Sequence, residues 1–109
     1  MAKWRFLVAE GSVGSDSLTG LEVDGRAVCL FRSQEGLIVF RDLCPHQPIK
    51  LSEFGDVFRG RIVCQAHGAC FDCATGKLLK GPAQQSLDLI PHKIDDQGDI
   101  YIDLEGFDI

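Results

Sequence analysis

The 109-residue sequence has no surplus of basic side chains: 11 lysines and arginines face 16 acids, for a net charge of -5. A general nucleic-acid binder needs a basic surface to displace counterions from phosphates, so that class is excluded. Long apolar runs are missing too. After Lys3 and Arg5 the run 6–9 stops at Glu10, short of a signal-peptide core, and the run 37–40 cannot cross a bilayer. A cytoplasmic protein with reduced thiols and no membrane partner is expected. No stretch keeps a 3.6-residue apolar period for ten residues, which leaves little room for helices. The cysteine count is not even: five cannot all pair within one monomer, which argues against a disulfide framework. The length suits one domain, 1–109, and leaves no space for separate substrate and nucleotide domains.

What is present is a series of short apolar runs separated by turn signals, the pattern of an all-β chain. Strands are expected over 4–9, 18–23, 26–32, 37–41, 87–94 and 100–104. Asp24-Gly25 between two of them suits a two-residue hairpin, because both positions tolerate positive φ. Ile100, Ile102 and Leu104 alternate with Tyr101 and Asp103, as in a half-buried strand. Between the two groups, residues 42–81 hold four of the five cysteines and two of the three histidines. Only short β-like pieces appear there, at 56–58, 61–64 and 69–72, so this segment reads as an insertion stapled by something other than a core.

Charge is distributed unevenly. Residues 1–41 hold five acids and five bases, 42–81 four and five, and 82–109 seven and one, giving 0, +1 and -6. The acids near the C-terminus read as a solvated hairpin edge protected from unwanted strand pairing. Global acidity is also compatible with steering towards a basic protein partner.

Two motifs carry the chemistry: Cys44-Pro45-His46 and, 17 residues further on, Cys64-Gln65-Ala66-His67. Each supplies one thiolate and one imidazole from a tight loop, with Pro45 fixing a backbone angle in the first and Gly68 freeing one after the second. A Cys2His2 set admits a structural zinc, or a [2Fe–2S] cluster with cysteines on one iron and histidines on the other. Zinc fingers normally place two cysteines in one knuckle and two histidines in the other. Here each loop gives one of each, which favours the cluster.

These boxes, continued through Gly68-Ala69-Cys70-Phe71-Asp72, Thr75-Gly76 and Gly81-Pro82-Ala83, resemble those of Rieske [2Fe–2S] proteins, and the chain length resembles the small ferredoxins of bacterial aromatic-ring-hydroxylating dioxygenase systems. The resemblance implies an antiparallel β-sandwich, with 42–81 as a small cluster-binding β subdomain inserted between 1–41 and 82–109. It implies one low-potential [2Fe–2S] cluster held by Cys44, His46, Cys64 and His67, with the histidines at a solvent-facing tip. It also implies a non-enzymatic one-electron carrier that takes electrons from a flavin-dependent NAD(P)H reductase and delivers them to a terminal Rieske non-haem iron oxygenase. A monomer suits that role, with Pro45, Gln47, Pro48 and Pro82 as candidate rim residues. The alternative from another class is the Rieske-like small subunit of an NADH-dependent nitrite reductase; a zinc-stapled interaction module is a third.

The high-potential branch of the family carries an extra disulfide and two hydroxyl donors near the cluster. The matching positions here are Ile49 and Ala66 for the disulfide, and Ala69 and Phe71 for the hydroxyls. Fewer donors stabilise the reduced cluster less, so a potential near the bottom of the Rieske range, about -150 mV, is expected. Cys64, Cys70 and Cys73 also mimic the cysteine run of adrenodoxin-like ferredoxins, but no fourth cysteine follows Cys73. Cys70 and Cys73 therefore read as non-ligand thiols, one near the cluster loop and the other in the 72–76 turn, with a redox-active pair as the sharper alternative. Cys29 reads as a buried apolar residue and His92 as a strand or surface histidine.

Overall fold

The computed structural model describes residues 2–13, 17–33, 36–44, 49–65, 68–81 and 85–105. Ten strands appear among them: β1 (Trp4–Ala9), β2 (Leu18–Val23), β3 (Arg26–Ser33), β4 (Gly36–Arg41), β5 (Gly55–Phe58), β6 (Arg61–Cys64), β7 (Cys70–Asp72), β8 (Leu78–Lys80), β9 (His92–Ile94) and β10 (Asp99–Asp103). One helical turn, α1 (Leu51–Phe54), lies between β4 and β5. The strands form three antiparallel sheets, ordered β1-β10-β9, β2-β3-β4 and β5-β6-β7-β8.

Local chemistry explains the tight connections. Asp24 and Gly25 take φ of 51° and 78°, the mirror-type turn whose twist matches the strands it joins. Arg59 and Gly60 repeat that geometry at 51° and 76° between β5 and β6. At the β7–β8 connection the Asp72 carboxylate accepts the Ala74 and Thr75 backbone N–H groups at 2.7 and 3.3 Å, and Gly76 turns with φ 73°. A Cβ at Gly76 would lie 2.9 Å from Leu89, so only glycine lets this turn close onto the 87–89 segment.

The β2-β3-β4 sheet is the middle layer. Val28, Cys29, Leu30 and Phe31 are all buried, although successive side chains of a strand point to opposite faces. Both faces are in fact covered. Val28 and Leu30, with Val39 of β4, meet Leu7, Ile100 and Ile102 of the β1-β10-β9 sheet. Cys29 and Phe31, with Ile38 and Phe40 of β4, meet Leu51, Ile62 and Phe71 on the other side. Each fully buried Val, Leu, Ile or Phe contributes roughly 1.5–3 kcal/mol, so these strands anchor two cores at once.

Several expectations need correction. The 42–81 segment is not stapled in place of a core: Leu51, Ile62, Ala69 and Phe71 are buried and continuous with the side chains of β3 and β4. The 87–94 strand is shorter than expected. Only His92–Ile94 pairs in the β1-β10-β9 sheet, while Leu89 makes an isolated bridge to Phe40. Leu87 and Ile90 are nevertheless buried, held by bonds from Leu87 N–H to the Gly76 carbonyl and from Ile90 N–H to the Val39 carbonyl. This stretch ties sheets together instead of extending one of them. α1 and β8 were not anticipated, because four and three residues are too few to show a period.

His92 is a half-buried strand residue opposite Ile102. Burial disfavours the imidazolium and lowers its pKa below the ordinary 6.5. The unfolded chain then binds more protons here than the folded one. Stability contributed at this site is complete above pH 6.5 and falls as pH drops towards the lower folded-state value. Urea unfolding at pH 7.5 and 5.5 should therefore show a larger loss for the native chain than for His92→Gln, which has no such proton to bind.

Candidate metal centre

Cys44 follows β4 by three residues, and Cys64 is the last residue of β6. The fold brings both thiols into one apolar cluster with Phe40, Leu51, Ile62, Ala69 and Phe71, at 1% and 0% exposure. His46 and His67 lie outside the described residues, as do Pro45, Gln47, Pro48, Ala66 and Pro82.

The two cysteine loops close in the same way. The Cys44 N–H donates to the Ile49 carbonyl at 2.9 Å, and the Cys64 N–H donates to the Ala69 carbonyl at 2.9 Å, each spanning five residues. In the second loop the Gly68 N–H also donates back to the Cys64 carbonyl at 2.6 Å, with Gly68 at φ 81°. Each loop is thus pinched at its base, with the cysteine at the start and the histidine inside the enclosed residues. The second is braced further: Gln65 donates its backbone N–H to the Phe54 carbonyl at 2.8 Å and its side-chain amide to Asp56 at 3.0 Å.

This arrangement fits a metal cluster. Both thiols are buried among apolar side chains at the start of closed loops, and cysteine sulfur is the donor that iron–sulfur clusters take from proteins. Ile49 and Ala69, whose carbonyls close the loops, themselves pack with that core, so the loop bases are rigid.

The other cysteines have different surroundings. Cys29 faces the same core from the middle of β3, and its pKa is pushed far above the thiol range by burial first and by the Asp42 charge second, so it is a neutral thiol. Cys70 is half-buried, its Sγ 3.5 Å from the Gly68 carbonyl beside the second loop. Cys73 is buried in the 72–76 turn, its N–H donating to the Gly60 carbonyl at 3.1 Å. No disulfide joins any of the five. The sequence reading missed Asp42 and Ser52, which lie against the first loop; only the folded juxtaposition makes them visible.

Residues 3–91 match the family described as Rieske [2Fe–2S] domain. The ferredoxin component of the naphthalene 1,2-dioxygenase system of Pseudomonas putida is 29% identical over 93 residues, covering 85% of this chain and 88% of that protein. Protein TIC 55, chloroplastic, of Arabidopsis thaliana is 36% identical over 90 residues, covering 82% of this chain, which spans only 16% of that longer protein. Among solved structures, the Sphingomonas yanoikuyae B1 ferredoxin superposes with a TM-score of 0.80 at 26% identity, over 93% of this chain and 98% of that one. A structure described as the complex of reduced oxygenase and oxidized ferredoxin in carbazole 1,9a-dioxygenase shares the fold at TM-score 0.79 and 22% identity, over 92% of each chain. The paired loops, the three-sheet fold and these matches converge: the chain belongs to the Rieske [2Fe–2S] domain family, and its cofactor is a Rieske-type [2Fe–2S] cluster.

Proposed function

We propose that Cys44 and Cys64 hold one iron of the cluster and His46 and His67 the other, with residues 42–81 as the cluster-binding unit. The chain is then a monomeric cytoplasmic electron carrier, receiving electrons from a flavin-dependent NAD(P)H reductase and passing them to a terminal ring-hydroxylating oxygenase. The observation that carries this reading is the matched closure of two pinched loops around two thiols buried in one core. The similarity to a dioxygenase ferredoxin over 88% of that ferredoxin's length supports the carrier reading.

When bound, the cluster accepts and releases one electron. Two ferric ions and two sulfides total about +2, and two thiolates bring the sum to about 0, where four would give about -2. With His46 and His67 as neutral imidazole ligands, the cluster would be easier to reduce than one held by four cysteines. The chain supplies the rest. Its buried cysteines would exclude water from one side of the centre, and Pro45, Gln47, Pro48 and Pro82 are the candidate recognition residues for a small contact suited to rapid exchange.

The positions beside the thiols set the potential low. Ala69 and Phe71 are both fully buried in the core that holds Cys44 and Cys64, and neither carries a hydroxyl. A native potential near -150 mV is expected, and voltammetry giving more than about +100 mV contradicts it. Ala69→Ser with Phe71→Tyr adds two donors that favour the more negative reduced state. The double variant should gain about tenfold in the reduction equilibrium, or about 59 mV upwards for one electron.

An EPR spectrum of the dithionite-reduced protein tests the ligand set, because mixed cysteine and histidine ligation lowers the average g below that of four-cysteine clusters. A four-cysteine spectrum sinks the assignment. Reduction of a ring-hydroxylating oxygenase, and not of a nitrite reductase, by the pre-reduced protein tests the partner, and the reverse result replaces the carrier reading with that of a nitrite reductase subunit.

A further inference from the structure

Asp42 is the one charged side chain buried among the described residues, at 4% exposure. Both carboxylate oxygens are engaged by Ser52: Oδ1 accepts the backbone N–H at 2.8 Å and Oδ2 accepts the hydroxyl at 2.5 Å. Two hydrogen bonds from one residue fix both the position and the plane of the carboxylate. Space for the pair is left by Gly20 on β2, where a Cβ would collide with the Ser52 hydroxyl and lie 3.1 Å from Asp42 Oδ2. Three residues, one in β2, one immediately after β4 and one in α1, therefore interlock.

The element they fix is the link between the two cysteine loops. Ile49, whose carbonyl closes the first loop, lies two residues before α1. Phe54, the last residue of α1, accepts the Gln65 N–H from the second loop. One helical turn thus holds the first loop at its start and the second at its end, and Asp42 pins that turn to the central sheet. A buried carboxylate is an expensive anchor for this purpose alone. Its charge provides the second reason: only Leu43 separates it from Cys44, a span of at most about 7 Å of chain.

We propose that Asp42 is a positioning residue for the cluster: with Ser52 and Gly20 it sets the separation of the two ligand loops, and its negative charge makes the bound centre harder to reduce. This rests on Cys44 and Cys64 being ligands. A unit charge on the order of 10 Å away, in an effective dielectric near 20, changes a one-electron equilibrium by roughly tenfold.

Two variants of the cluster-loaded protein separate the two effects. Asp42→Asn keeps the brace, because the amide oxygen can accept the Ser52 N–H while its NH2 donates to the Ser52 hydroxyl. It should leave the EPR g values unchanged and favour reduction about tenfold, about 59 mV upwards. Ser52→Ala keeps the charge and loosens the brace. It should broaden the EPR lines and lower the potential, since the carboxylate loses a neutralising donor. A shift of less than twofold in Asp42→Asn overturns the electrostatic role, and unaltered line shape in Ser52→Ala overturns the positioning role. If Asp42→Asn fails to retain its cluster, Ser52→Ala decides alone, with unchanged potential and line shape rejecting the proposal. A native protein without the mixed-ligand spectrum instead removes the ligand assignment beneath it, so the two failures are distinguishable.

Discussion

Cys44→Ala and Cys64→Ala are each expected to give a colourless protein that takes up no [2Fe–2S] cluster, whereas Cys29→Ala, Cys70→Ala and Cys73→Ala keep the visible spectrum at full intensity. The contrast follows from position. Cys44 and Cys64 each begin a loop pinched by a five-residue hydrogen bond and meet in one core, while Cys29 sits mid-strand, Cys70 half-exposed on β7 and Cys73 in a turn. On the proposed ligand set, losing either cysteine would remove the metal from the other, so the melting temperature should fall as well. Iron content per chain, measured after reconstitution with iron and sulfide, checks the result. Loss of colour in Cys70→Ala or Cys73→Ala with retention in Cys44→Ala would transfer the cluster to a cysteine-only ligand set.

Phe40→Ala should destabilise the cluster-loaded protein by about 3–5 kcal/mol. Phe40 is fully buried, faces the core that contains both cysteines, and pairs across β4 with Cys29 of β3 and with Leu89 of the 87–90 segment. Its removal opens a cavity where the central sheet, the 87–90 segment and the cluster-side core meet. Total stabilities run about 5–15 kcal/mol, so this single change consumes a large fraction of the whole. Urea denaturation should show a much lower midpoint with little change in slope. Phe58→Ala is the control. Phe58 is 61% exposed at the β5–β6 turn with the Arg59 guanidinium 5.1 Å from its ring, and its loss should cost no more than about 0.5 kcal/mol. Equal effects at the two sites would mean that the burial described for Phe40 does not carry the stability.

These expectations draw on features of unequal visibility in the sequence. The first four strands were readable because each is an apolar run bounded by Gly, Asp or Ser, and Asp24-Gly25 specified its turn without tertiary help. The paired boxes 44–46 and 64–67 stood out by residue type and spacing, and the family they resemble is the one that residues 3–91 match. The 87–94 segment misled because Leu87, Leu89 and Ile90 are apolar for packing against Gly76, Phe40 and Val39, not for lateral pairing along one ladder. The core beneath 42–81 was hidden for a related reason. Its apolar residues are scattered, at Leu51, Ile62, Ala69 and Phe71, and only the fold assembles them. Asp42 and Ser52 were invisible because their meaning depends on the absence of a side chain at Gly20, which lies 22 and 32 positions earlier in the chain.

The covering of β3 on both faces also bears on how the chain avoids misfolding. In a sheet with one wet face, a one-residue slip exposes apolar groups and buries polar ones, so solvent itself proofreads the alignment. Between Val28 and Phe31 that check is absent, because a slipped strand would exchange one greasy face for another. Alignment must then be enforced by shape, with Phe31 and Phe40 too bulky for the space that Val28, Leu30 and Val39 occupy, and by the rigid Asp24–Gly25 corner that fixes where β3 begins. Loosening that corner would endanger the placement of Cys44, because Arg41 pairs with Val28 and the Asp42 N–H donates to the Ala27 carbonyl, so the strand that delivers the first ligand loop is aligned only a few residues from the turn.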